Sequence, residues 1–139
     1  MDREKIVLSL KEEIEKISIE NGFYTDKLKV YEWLFRPLGR EESPACIIRD
    51  TKDEVIEGGG LLEHHLTFEI DLVVVGESQS VKIRDLISDT LRAVGAFEQK
   101  TNLSTLYKSS EISIEHKESI YALSLVEFEV VYFTNRWEQ

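Results

Sequence analysis

Little in this chain invites covalent or metal chemistry. Of its 139 residues one is cysteine and three are histidine. A single cysteine cannot close an internal disulfide, which fits synthesis in a reducing cytoplasm. Zinc sites need several Cys or His at set spacings, and none links Cys46, His64, His65 and His116. Cys46 sits in the apolar run 45-ACII-48 and reads as a buried structural residue. Basic charge is also scarce: 17 Lys and Arg stand against 27 Asp and Glu, a formal net charge of -10. Nucleic acid and anionic lipid would repel such a chain at long range, so neither is an expected partner.

Long hydrophobic runs are missing too. No stretch approaches the ~20 apolar residues of a membrane span, and the charged start 1-MDREKIVLSLKEEIEK-16 does not read as a secretion signal. The glycine run Gly58 to Gly60 leads into Leu61 and a strand pattern. A phosphate loop needs Gly-Lys-Ser/Thr entering a helix, and a dinucleotide fingerprint needs a following helix. No Gly-x-Ser-x-Gly elbow is present. Catalytic residues, cofactors and metal ligands are therefore not expected.

What the chain does have is periodicity. Ile6, Leu10, Ile14 and Ile17 recur at helical spacing, and Asn21-Gly22 supplies a stop. A strand is predicted around Lys29 to Trp33, with Pro37, Gly39 and Ser43-Pro44 in the loop after it. A short buried strand follows at 45–49, and 54-EVIEGGG-60 predicts one arm and the tip of a hairpin. From Leu62 to Val74 apolar and polar residues alternate: His64, Leu66, Phe68, Ile70 and Leu72 on one face, Glu63, His65, Thr67, Glu69 and Asp71 on the other. Adjacent strand residues point to opposite faces, so His64 and His65 cannot grip one ion from one side.

A second helix is predicted over about 80–95, with Ile83, Leu86, Ile87, Leu91 and Val94 as its stripe and Gly95 as its cap. Residues 96–110 read as irregular, 111–116 as a strand, 117–119 as a turn and 120–134 as a second long strand. Together these predict one α+β domain over residues 1–139: a single mainly antiparallel β-sheet with two helices packed on one face.

Charge offers the candidate site. Pairing of the two long strands would bring Glu69 and Asp71 close to Glu127 and Glu129 on the face away from the helices. A solvated outer face accounts for such a cluster; so would a docking surface for basic groups, or a loose divalent-cation site. Its complement is the segment holding Lys27, Lys29, Arg36 and Arg40 against only Glu32, with Tyr31, Trp33 and Phe35 interleaved. Aromatics and arginine are enriched at interfaces. Basic segment on acidic sheet would be a head-to-tail subunit contact, the kind that closes into rings. The expected interface is thus Lys27, Lys29, Trp33, Arg36 and Arg40 against Glu69, Asp71, Glu127 and Glu129.

The strand 64-HHLTFEIDLVV-74, the helix 82-KIRDLISDTLRAV-94 and the closing 126-VEFEVVYFTNRW-137 together resemble the tail terminator (minor tail or tail completion) proteins of long-tailed bacteriophages. The element φ-x-V-x-Y-x-T of that family fits Phe128, Val130, Tyr132 and Thr134, and H-x-L-x-F-x-I fits His64, Leu66, Phe68 and Ile70. The resemblance implies a non-enzymatic α+β part of a virion tail, made in the bacterial host cytoplasm. It also implies a hexameric ring that caps the tail tube and meets the head–tail connector. The family has no catalytic residues to carry over. Small acidic type III secretion chaperones are the alternative class; they are dimers that usually finish on a helix, whereas here a strand precedes 135-NRWEQ-139.

Overall fold

A computed structural model describes residues 2–76, 78–116 and 118–137. Helix α1 (Arg3–Glu15) starts where the Asp2 carboxylate accepts from the Lys5 N–H at 2.9 Å, satisfying one of the free donors of a first turn. Its Ile6, Leu10 and Ile14 are fully buried. The helix ends well before the predicted stop, and tight turns carry the chain past the buried Ile17 to Gly22, whose φ is +84°.

Five strands follow: β1 (Lys29–Glu32), β2 (Ala45–Gly58), β3 (Leu61–Val75), β4 (Ser104–His116) and β5 (Ile120–Asn135). They form one sheet in the order β1-β2-β3-β5-β4. Every neighbouring pair is antiparallel except β1 with β2, which run parallel. Helix α2 (Gln79–Thr101) carries the chain from β3 to β4 and packs with α1 on one face. The fold is α+β, as the periodicities predict.

Rows of directly opposed residues run across the sheet. On the helix-covered face, Ile48, Ile70 and Val126 form one row and Asp50, Phe68, Phe128 and Tyr107 the next. The Phe68 and Phe128 rings stack at 5.3 Å, and both are buried against the helices. Each large side chain buried this way contributes about 1.5–3 kcal/mol. The hairpin tip is Gly59-Gly60 at φ +60° and +83°, the paired left-handed conformation that a two-residue turn requires.

Three expectations need correction. Helix α2 does not stop at Gly95: it runs to Thr101, because Phe97 continues the buried stripe, and Asn102 at φ +58° ends it. One mid-helix glycine costs only about 1 kcal/mol, which the burial of Phe97 outweighs. Residues 104–110, read as irregular, belong to β4, an edge strand exposed over nearly its whole length and interrupted by a bulge between Tyr107 and Ser109. Strand β2 is continuous from Ala45 to Gly58, with an irregularity between Asp50 and Lys52. Lys117 of the predicted 117–119 turn lies outside the described residues, as do Glu138 and Gln139.

Candidate functional site

The helices cover one face of the sheet and leave the other open. On the open face, alternation on β3 and β5 sorts side chains into an ordered sequence of rows. At one end Ala45, Val73, Leu123 and Ser113 oppose one another, then Ile47, Asp71, Leu125 and Glu111. Apart from Ala45, which is fully buried, these two rows line a shallow groove of about 390 Å³. Next comes Arg49, Glu69, Glu127 and Ser109, then Lys52, Thr67, Glu129 and Leu106. At the far end Ile56, Glu63 and Phe133 align, with both apolar residues exposed.

The expected acidic cluster is therefore assembled, with Glu69 directly opposite Glu127. It is not bare. Arg49 donates to both Asp71 carboxylate oxygens at 3.0 and 3.2 Å and lies 3.3 Å from Glu69. Lys108 reaches Glu129 at 3.5 Å. His65 places Nδ1 2.7 Å from Glu129 and Nε2 2.6 Å from Glu63. Ionised carboxylates only accept, so both ring nitrogens must donate and the imidazole is held as its cation. Hydrogen bonds from Glu63 first, then Glu129, raise the His65 pKa above its ordinary value. Among the described residues, Glu127 and Glu111 make no ion pair. No group of three or more His, Cys, Asp or Glu among the described residues could hold a metal ion.

A pH dependence follows. A raised folded-state pKa means that the folded protein binds the proton more tightly than the unfolded chain. The His65 clamp thus contributes fully below the unfolded value of ~6.5 and is lost as pH rises through the raised folded value. Urea unfolding of the wild type and His65→Gln should show a stability gap that is full below the unfolded value of ~6.5 and closes as pH rises above it. A gap unchanged with pH would contradict the charged clamp.

The basic segment lies at the opposite edge of the sheet. Lys27, Lys29 and Arg40 are exposed and make no ion pair among the described residues; the Lys29 ammonium donates to the Lys27 carbonyl. Arg36 is engaged at home, donating to both Glu42 oxygens at 2.7 Å. The same carboxylate accepts from the Tyr31 hydroxyl at 2.6 Å and the Gly39 N–H at 2.9 Å. These bonds, Arg36's first, hold the Glu42 carboxyl well below the usual carboxylate range. Trp33 takes a left-handed φ of +47° and donates its indole N–H to Asp50 at 2.8 Å. Phe35 stacks on Trp33 with centroids 6.3 Å apart, yet is 89% exposed. The nine expected interface residues thus split into two separate surfaces, and four of the eight ionic ones, Arg36, Glu69, Asp71 and Glu129, are ion-paired within the chain.

Sequence reasoning passed over a buried polar chain. His64, 2% exposed, places Nδ1 2.8 Å from Asp53 and Nε2 2.7 Å from the Thr134 hydroxyl, and stacks on Tyr132 at 4.4 Å. Carboxylate, imidazole and hydroxyl in series have the composition of an acyl-transfer relay. Here Thr134 is only 9% exposed, so the hydroxyl is buried along with the imidazole. The second Asp53 oxygen and the Tyr132 hydroxyl have no hydrogen-bond partner among the described residues. Burial, then the charge of Asp53, pushes the Tyr132 phenol up to about 12. Burial likewise raises the Cys46 thiol far above its ordinary value, the opposite of what a nucleophile needs. A cleft of about 290 Å³ at the end of the sheet is lined by Tyr24, Asp26, Ser43, Lys82 and Asp85. Tyr24, Asp26 and Lys82 there are solvent-exposed, and Ser43 Oγ already accepts from the Val75 N–H.

No model of a known protein family matches the chain, and a search of curated proteins finds no significant relative.

Proposed function

We propose that this chain is a structural subunit of a phage or prophage tail: a tail terminator. It would form a hexameric ring that caps the tail tube, ends its polymerisation and joins it to the head–tail connector. In this reading it has no catalytic centre and no cofactor, is made in the host cytoplasm and ends in the virion tail. One observation carries the proposal. The two sides of the open sheet are unlike: among the described residues, Lys27, Lys29 and Arg40 near β1 make no ion pair, and neither do Glu111 and Glu127 at β4 and β5. Unlike, oppositely charged surfaces on one molecule favour head-to-tail contacts, and such contacts close into rings when the rotation allows. Weak contacts repeated around a closed ring reinforce one another.

The test is light scattering on a sizing column, joined to electron microscopy of the concentrated protein with and without tube protein. Rings, or tubes with capped ends, are the expected result. A stable dimer under every condition would favour the secretion-chaperone class instead. A protein that neither forms rings nor caps tubes would remove the terminator reading.

A further inference from the structure

The charged residues alone do not say what lies at the centre of a subunit contact. Exposed ion pairs contribute little, typically about 0–1 kcal/mol. Interfaces draw most of their energy from a few aromatic anchors seated in apolar pockets, with charges at the rim. Both halves of such an arrangement are present on this chain, on different surfaces.

The anchor is Phe35. Its ring is 89% exposed, although aromatic side chains normally bury most of their area. The loop beneath it is tightly held. Arg36 grips Glu42 by two 2.7 Å bonds, Tyr31 and Gly39 bind the same carboxylate, and the Trp33 indole is tied to Asp50. A side chain presented on a pre-fixed loop loses little freedom on docking, which is what an anchor requires. The receptor is the groove on the open face, where Ile47, Val73, Leu123 and Leu125 form an apolar floor rimmed by Asp71 and Glu111. Among the described residues, Arg40 and Lys29, near the anchor in sequence, make no ion pair, and neither do Glu111, on the groove's rim, and Glu127, one row away. Apolar centre therefore meets apolar centre, and basic flank meets acidic rim.

The geometry points to Phe35 of one copy inserting into the Ile47–Val73–Leu123–Leu125 groove of the next, with Arg40 and Lys29 approaching Glu111 and Glu127. This deepens the ring reading and rests on it, because the occupant is taken to be a second copy of this chain. The contact is heterologous: the anchor stands beside β1, the groove spans β2, β3, β5 and β4, and each copy uses one of each.

Two full-length variants test it. Phe35→Ala removes the anchor and keeps the groove; Leu123→Arg fills the groove and keeps the anchor. Sedimentation velocity should show each variant alone self-associating about thirtyfold more weakly than the wild type. Mixed together they retain one good anchor and one good groove, so they should form heterodimers of near wild-type affinity and stop there. Glu111→Lys, on the exposed edge strand, gives a second groove-side variant should Leu123→Arg fail to fold; weakened association supports the contact. Wild-type assembly in both Phe35→Ala and the groove variant overturns this contact while leaving the ring reading standing. A wild-type protein that stays monomeric at all concentrations, with and without tube protein, overturns both.

Discussion

His64→Ala should lower the unfolding free energy by about 3–5 kcal/mol, from the cavity left by the imidazole and from a buried carboxylate that loses its donor. The imidazole bridges Asp53 and Thr134 at 2.8 and 2.7 Å and fills the space against the Tyr132 ring. Removing it opens a cavity and takes away the one donor that the Asp53 carboxylate has among the described residues, its other oxygen having no partner among them. Asp53→Asn should cost less, about 1–2 kcal/mol, because a carboxamide oxygen can still accept from Nδ1. Urea unfolding of the two variants beside the wild type measures both. A loss under about 1 kcal/mol for His64→Ala would mean that the polar chain is incidental to the fold.

Asp89→Ala carries the second large effect. Asp89 projects from α2 at 1% exposure and accepts from the Tyr24 N–H at 3.2 and 3.1 Å and the Thr25 N–H at 2.8 Å. It fastens the segment between α1 and β1 to the second helix. Arg92 assists, donating to the Gly22 carbonyl at 2.7 Å and lying 4.4 Å from the Phe23 ring centroid. Hydrogen bonds to a charged group contribute about 1.5–3 kcal/mol each, so losing the acceptor of both donors should destabilise by about 3–6 kcal/mol. Amide hydrogen exchange should accelerate at Tyr24 and Thr25 more than at Phe68. Uniform acceleration across the chain would instead mean a global effect with no local fastening.

The sequence was most legible where burial imposes a pattern. Strand β3 as far as Leu72, and strand β5 along most of its length, alternate because one face is covered and the other is open. Their pairing and the meeting of Glu69 with Glu127 follow from that alternation. Strand β4 was read as a strand only over 111–116, and its first half, residues 104–110, was hidden for the converse reason. Exposed on both faces and bulged at Lys108, it has no burial pattern to betray it, and Lys108 could not be matched to Glu129. The Arg49 contacts required the exact register of β2, which shifts at Thr51 and so defeats counting. Phe35 was visible as one of several aromatics, but its isolation from the core depends on the Arg36–Glu42 clamp, a contact between two loop residues with no periodic signal.

The unbroken β3–β5 register also bears on how the chain is synthesised. It runs from Leu61 opposite Asn135 to Val75 opposite Tyr121, and α2 and β4 lie between the two strands in the chain. Emerging from a ribosome, β3 can pair with β2 at once, but its other edge has no neighbour until α2, β4 and β5 have followed. The middle strand of the finished sheet is therefore an unprotected edge until β5 emerges.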